Sequence, residues 1–369
     1  MNITHPQQQE QEVEEGEKED EKANNEWEFK LSTVISSQSS SSRAASDTVG
    51  VLEFDPSDRL LATGGIARKI RIYNISSLLL GYDAQDTTSL RQLDHLTACE
   101  YYICTPAKLS SIRWKPNTSG SVIGSGDYDG VVTEYNLEKR VPVFERDEHG
   151  GRRIWSVDYS HWVGASGSDD GTTQLWDTRC SGDECVAVVQ PSVGRSSVCC
   201  VEFDPFGSGL IAMGCADRNA YTYDIRKTDN PVSVFVGHEK TVSYVRFLGE
   251  HMMVTAGTDG CLKLWNTVNA HSMRTFKGHV NNRSFVGLSV WRHGGLIGCG
   301  SESNEVFVYD KRWSEPIWLG GLEGTLGPES EDKFVCGVCW RQVMEVDECT
   351  LVAGGSDGAL QVYVGKKKA

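Results

Sequence analysis

The sequence predicts an all-β protein, a seven-bladed β-propeller closed by an N-terminal strand. Three observations carry that prediction. From residue 48 onward a unit of roughly forty residues recurs seven times. Each unit holds three short apolar strands, and two of the three end in an aromatic residue. A strand-like segment also stands alone before the first unit, while the seventh unit stops after its third strand and lacks a fourth.

The elements follow in chain order. Residues 1–26 carry nine acids and two lysines with almost nothing apolar. Such a segment cannot offset its ordering entropy, so a disordered acidic tail is expected. Residues 27–35 begin Trp27-Glu28-Phe29-Lys30-Leu31, the period-two alternation of a strand with one buried face. They are expected to supply the missing fourth strand of the last blade, which would remove an exposed sheet edge. Residues 36–47 begin SSQSSSS and read as a Ser-rich linker. Residues 48–364 form the propeller, and 365–369 a basic C-terminal tail.

Within the repeat, the first strands are VGVLEF (49–54), LSSIRW (109–114), IWSVDY (154–159), VCCVEF (198–203), VSYVRF (242–247), VGLSVW (286–291) and VCGVCW (335–340). A second strand then runs into glycine and small residues, as in LATGG or VTAGT. A third closes on Tyr73, Tyr135, Trp176, Tyr223, Trp265, Tyr309 and Tyr363. Long spacings mark insertions at about 76–107 and 314–333, the second acidic. Five units place an aspartate six residues before the closing aromatic: Asp129, Asp170, Asp217, Asp259 and Asp357. In a tight turn, that carboxylate can accept from turn amides and from a histidine of the preceding loop. Gly237-His238 and Gly278-His279 supply such histidines, whereas Ala67 and Ser303 replace the aspartate in two degenerate units. This is the WD40-repeat pattern.

Composition narrows the function. Apolar residues at 39% suffice for a core. A net charge of −15 argues against a nucleic-acid partner, which requires basic surface. No apolar run is long enough for a membrane span, and no secretory signal opens the chain. Twelve cysteines fall far below disulfide-scaffold density and are expected as reduced thiols. Cys336 and Cys339 form a CxxC, but inside a strand, where positions three apart face opposite ways. No histidine-pair metal motif, nucleophile elbow or phosphate loop is present, so neither metal, cofactor nor catalytic residue is expected. A monomeric binding protein is.

The repeat provides its own control for binding residues. Six positions before the first-strand aromatic, the seven units have Thr48, Lys108, Arg153, Ser197, Thr241, Phe285 and Phe334. Four positions before it they have Gly50, Ser110, Trp155, Cys199, Ser243, Gly287 and Cys336. Six of these are small and Trp155 breaks the rule. Seven positions before the closing aromatic, Tyr128 is the outlier in its row. Lys108, Tyr128, Arg153 and Trp155 cluster in blades 2 and 3, with Lys240 and Phe285 across the rim. Aromatics with cations around a channel mouth suit a peptide with apolar anchors and acidic flanks. The rows alone leave that reading level with an uneven propeller top. Three third strands end as W/Y-D-x-R, with Asp177 and Arg179, Asp224 and Arg226, and Asp310 and Arg312. These read either as local ion pairs or as docking points.

The stretches SGDYDGVVTEYN, ERDEHGGRRIWSVDYS, VGASGSDDGTTQLWD, TAGTDGCLKLWN, GHVNNRSFVGLSVWR and LVAGGSDGALQVYVGK resemble the plant repressors of UV-B photomorphogenesis, over essentially the whole chain. The propeller is also similar to the WD40 domain of the constitutively photomorphogenic ubiquitin ligase and its suppressor-of-phytochrome partners. Residues 1–26 offer no RING cysteines or heptads, so a propeller without the ligase's other parts is expected. The resemblance implies that the top face binds peptides with a Val-Pro core and nearby acids, through Lys108, Tyr128, Arg153, Trp155, Lys240 and Phe285. Asn282 stands where the ligase has an acid. The resemblance further implies binding of the UV-B photoreceptor through its C-terminal tail and core, faster return of that receptor to its inactive dimer, and competition with the ligase. The W/Y-D-x-R sequences resemble the motif that docks WD40 proteins on the cullin-4 ligase adaptor. The alternative is therefore a substrate receptor acting on light-signalling transcription factors. Nucleus and cytoplasm are the expected locations.

Overall fold

The computed structural model describes residues 26–37, 47–80, 90–179, 185–321, 333–344 and 347–368. Seven antiparallel sheets form the blades of a propeller. Blade 1 runs Val49–Phe54, Leu60–Gly65, Lys69–Asn74 and Cys99–Cys104. Blades 2 to 6 begin at Leu109–Trp114, Ile154–Ser160, Val198–Phe203, Val242–Gly249 and Leu288–Trp291, each with three further strands in sequence order. Blade 7 combines Val335–Trp340, Glu348–Gly355 and Leu360–Lys367 with the N-terminal strand Trp27–Ile35. The innermost strands touch in a closed ring, blade 7 against blade 1 included.

Each sheet is apolar on both faces, so it needs a neighbour on each side. The buried apolar residues accordingly divide into seven clusters, one for each pair of adjacent blades. The aromatics that close the third strands anchor them: Trp176, Trp265, Tyr73, Tyr309 and Tyr363 are fully buried.

The closing strand pairs antiparallel with the last strand, from Trp27 opposite Lys367 to Ile35 opposite Leu360. This pairing corrects one boundary. Gly365, Lys366 and Lys367 are not a tail but the end of that strand, because Trp27, Glu28 and Phe29 give their backbone groups partners. Of the acidic segment only Glu26 lies within the described residues, as do only Ser36, Ser37 and Asp47 of the linker.

In the first insertion residues 81–89 lie outside the described set. It contains short helices at Ile75–Leu78 and His95–Ala98, and it ends in the fourth strand of blade 1. Its segment Arg91–Leu93 adds in parallel to the outer edge of blade 7, beside Thr33–Ile35. In the second insertion Pro316–Gly321 is the fourth strand of blade 6, and residues 322–332 lie outside the described set.

The turn aspartates behave as the sequence implies in two blades. His238 Nδ1 lies 2.9 Å from Asp259 and its Nε2 2.7 Å from Thr255, which also accepts from Trp265. His149, which the Gly-His pattern misses because its glycines follow it, does the same with Asp170 and Ser166. His279 departs from the expectation. Ser303 occupies the aspartate position of its blade, and the ring contacts the Tyr309 hydroxyl at 3.0 Å instead. Blade 1, with Ala67, uses the same substitute: His95 contacts the Tyr73 hydroxyl at 2.7 Å.

Candidate functional site: the mouth of the channel

The innermost strands share a local irregularity that builds the site. Register shifts separate Val49 from Val51, Leu109 from Ser111, Ile154 from Ser156, Val198 from Cys200, Val242 from Tyr244, and Val335 from Gly337. The bulged residue is the one four positions before the strand-end aromatic. A bulge re-aims a side chain out of the ladder, and five of these six residues line the mouth of the central channel. In blade 6 the small residue is a steric need. At Gly287 φ is +79°, and a Cβ would come 2.7 Å from the backbone of Gly337 in the next blade. Only in blade 3 does the bulge carry a large ring, Trp155.

The other two outlier rows are joined by backbone hydrogen bonds. The Tyr128 amide donates to the Lys108 carbonyl, and the Asp169 amide to the Arg153 carbonyl, each at 3.0 Å. Neighbouring turns therefore bring Tyr128, Arg153 and Trp155 together. The Arg153 guanidinium sits 3.6 Å from the Tyr128 ring centroid and 3.5 Å from that of Trp155. Burial between the rings lowers its pKa, against the pull of Tyr128 and Asp169. Trp155 is fixed by its Nε1, which donates to Asp169 at 2.5 Å. Across the mouth its ring meets Phe285 at 4.5 Å, and Phe285 meets Tyr244 edge-on at 6.0 Å. Lys108 reaches the stack from outside, 5.9 Å from Tyr128. The rim encloses a cavity of about 400 Å³.

Two selected residues stand apart. Lys240 is exposed and is not among the residues lining the cavity. Asn282 turns to Glu302, with Nδ2 3.4 Å from the carboxylate. Glu302 also accepts the amides of Arg283 and Ser284 at 2.9 and 2.7 Å. Burial works against its ionisation, but those donors hold its pKa below the ordinary value. The loop is thereby fixed with Arg283 lining the mouth. Sequence reasoning missed Arg283 and Tyr244. Tyr244 was within its reach: three positions before the aromatic it is the only aromatic in a row that otherwise reads Val51, Ser111, Ser156, Cys200, Leu288 and Gly337.

On the opposite face the three W/Y-D-x-R turns share one geometry. Each arginine donates its backbone amide and Nε to one carboxylate oxygen and Nη2 to the other, with side-chain distances of 2.5 to 3.0 Å. Hydrogen bonds from the Arg179 and Arg226 side chains hold Asp177 and Asp224 at about 2. Arg312 is shared, pairing with both Asp310 and Glu26.

The cysteines show no reactive setting at the CxxC. Cys336 lines the mouth and Cys339 the lower channel, and burial pushes both thiols up to about 12. Among the described residues no cluster of three His, Cys, Asp or Glu suits a metal, and no helix is long and apolar enough to cross a membrane.

Fold and rim together define a WD40-type β-propeller whose distinctive surface is an aromatic and cationic channel mouth. Known proteins place it more closely. Residues 156–310 match the family model described as the nucleolar protein 10-like N-terminal domain, a β-propeller. The chain is 62% identical to the WD repeat-containing protein RUP2 of Arabidopsis thaliana, covering 88% of this chain and 89% of that protein. It is 59% identical to RUP1 of the same plant, covering 92% and 86%. The pea E3 ubiquitin-protein ligase COP1 is 36% identical over 87% of this chain but only 45% of the ligase. The chain belongs to the RUP family of WD repeat-containing proteins.

Proposed function

We propose that this protein is a non-catalytic regulator of plant UV-B signalling, working in nucleus and cytoplasm. In this reading it binds the UV-B photoreceptor through the receptor's C-terminal Val-Pro motif and its core. It promotes re-dimerisation of the receptor, and it competes with the photomorphogenic ligase for the same motif. The observation that carries the reading is the stacked rim: Tyr128, Arg153, Trp155 and Phe285 form one continuous surface at the mouth of the cavity. Rings supply slots for the Val-Pro pair, and Lys108 and Arg153 supply charge for flanking acids. Kinship with COP1 over the propeller supports competition for shared ligands.

The test is binding of an acidic Val-Pro peptide to wild type and Trp155→Ala by calorimetry. A buried tryptophan contact is worth about 2 kcal/mol or more, so the variant should lose at least tenfold in affinity. Its melting temperature should barely move, since the ring is only half-buried. Equal binding by both proteins would overturn the rim assignment.

A second reading, a cullin-4 substrate receptor acting on light-signalling transcription factors, is favoured by the pre-oriented arginine forks on the opposite face. It expects adaptor binding to fall with Arg179→Ala and Arg226→Ala. Arg312→Ala should matter less, because Glu26 already occupies that fork. Adaptor binding indifferent to all three would sink it.

A further inference from the structure

The mouth collects cations without matching anions. Its lining includes Arg113, Arg153, Arg246 and Arg283 but only one acid, Glu53, in a chain of net charge −15. Arg113 is accounted for, paired with Glu53 and, at 3.4 Å, with Asp158. Among the described residues no carboxylate lies within 4.0 Å of the other three guanidiniums.

Arg246 stands at the waist. With Glu53 and Arg113 it lines both the mouth and the cavity of the lower channel. One nitrogen, Nη1, donates to the Val245 carbonyl at 2.7 Å and reaches the Cys200 sulfur at 3.2 Å. The rest of its fork has no hydrogen-bond partner among the described residues. Glu53 and Glu202 act on it from longer range, but both are committed. Glu53 holds Arg113, while Glu202 holds Arg292 at 3.1 Å and accepts the Phe247 amide at 2.5 Å.

Its row in the repeat sharpens the point. The residues just before the strand-end aromatic are Glu53, Arg113, Asp158, Glu202, Arg246, Val290 and Cys339. Two of the acids stitch blades together: Asp158 accepts the Phe203 amide of blade 4, and Glu202 the Phe247 amide of blade 5. Arg113 pairs with an acid on either side. Arg246 makes no such bridge to a neighbouring carboxylate, and Val290 and Cys339 show that a charge is not needed at this position.

We propose that Arg246 is the floor of an oxyanion subsite beneath the aromatic rim, taking a phosphate group. That phosphate arrives on a phosphorylated side chain of the bound peptide or as free phosphate. Guanidinium forks match tetrahedral oxyanions with paired hydrogen bonds. A phosphate carries close to two charges at neutral pH, which suits a cavity with three unpaired arginines better than one carboxylate does. The peptide arm rests on the reading of the mouth as a peptide site; the free-phosphate arm does not.

The experiment uses the full chain, as wild type, Arg246→Met and Arg246→Lys, each checked for folding by circular dichroism. In the first arm inorganic phosphate is titrated against chloride at matched ionic strength, with melting temperature and phosphorus NMR line width as readouts. Wild type should show saturable stabilisation and broadening. Arg246→Met should show neither, and Arg246→Lys, which keeps the charge, should retain part of both.

In the second arm a Val-Pro peptide carrying serine is compared with its phosphoserine forms, the modification scanned through the flanking positions. The best phosphopeptide should bind wild type at least tenfold tighter than the serine peptide. That gain should shrink to within twofold in Arg246→Met, while the serine peptide binds both proteins alike. Binding of the serine peptide with no response to phosphate in either arm overturns the subsite and leaves the peptide reading standing. Arg246-dependent phosphate binding with no peptide binding does the reverse.

Discussion

The seam between blades 6 and 7 and the seam between blades 2 and 3 solve the same packing problem with opposite materials. At the first, Trp27, Phe29, Trp291 and Trp340 sit within one cluster, and their rings lie 5.4 to 6.2 Å apart. At the second, the apolar cluster shrinks to Val132, Ile154, Val157, Tyr159 and Trp176, with Phe144 alongside. Buried Glu134, Arg146, His149 and Gln174 fill the remaining space. The ring is closed where it is most apolar, and it carries its unusual rim where it is most polar. A closure seam must hold two chain ends together without a covalent link, and large rings contribute the most burial per residue. The seam beneath Arg153 and Trp155 instead positions charge.

The strongest test of the contrast is Phe29→Ala. Its ring lies against Trp318 at 5.0 Å and Trp340 at 6.0 Å, on the strand that closes the ring. Removing a buried phenyl ring costs about 3–5 kcal/mol. Denaturant unfolding should show that loss, with release of the N-terminal strand. A loss near 1 kcal/mol would mean that backbone pairing, and not the rings, closes the propeller.

The polar seam has a matching test. Lys115 Nζ lies 2.6 Å from Glu134, whose side chain is 3% exposed. Lys115→Met leaves that carboxylate buried and unpaired, and should cost about 3 kcal/mol. The double change Lys115→Met with Glu134→Leu should recover most of it, because a packed apolar pair replaces a charge pair at little net cost. If the double variant stays as weak as the single, the ion pair itself, which joins two parts of blade 2, holds that blade's face of the seam.

Most of the fold was legible in the sequence because a repeat tests itself seven times. The strand-end aromatics fixed the register, and register comparison isolated Tyr128, Arg153 and Trp155 before any contact was known. What stayed hidden has no period. Arg91–Leu93 is three residues long and pairs with a strand far away in sequence, so no local alternation marks it. Arg283 is set by Glu302, a residue acting through backbone amides. His149 serves Asp170 from a loop with glycines in an unfamiliar order. Lys240 illustrates the converse: a residue chosen by its place on the rim that is exposed and does not line the cavity.

The histidine position carries the contrast into pH dependence. In blade 6 the His279 ring is packed against Phe307 and Tyr309, and burial lowers its pKa to about 4. Unfolded, it binds a proton near 6.5. The unfolded chain therefore takes up more protons between these values, and stability rises with pH from about 4 to 6.5, by on the order of 3 kcal/mol. In blade 3 the balance falls elsewhere. Burial disfavours charge on Asp170, but hydrogen bonds from His149 and Thr172 outweigh it and hold its pKa below the ordinary value. Its contribution is kept above the unfolded value near 4 and is lost only below it. His279→Gln should flatten the unfolding free energy between pH 4 and 6.5. Equal slopes in wild type and His279→Gln would refute the assignment.

The smallest expected effect is the most pointed. Glu26 accepts from Arg312 at 3.1 and 3.3 Å, beside the first residue of the closing strand, and looks like an electrostatic latch on the apolar seam. The pair is open to solvent on its Arg312 side and only partly covered at Glu26, so it gains little and salt screens it. Arg312 also keeps Asp310 when Glu26 is lost. Glu26→Gln should therefore leave the melting temperature unresolved from wild type at both low and high salt, while Phe29→Ala, three residues away, is the most damaging change at the seam. A drop of several degrees at low salt that disappears at high salt would show that charge guards the ring closure, and the division between an apolar seam and a polar one would have to be redrawn.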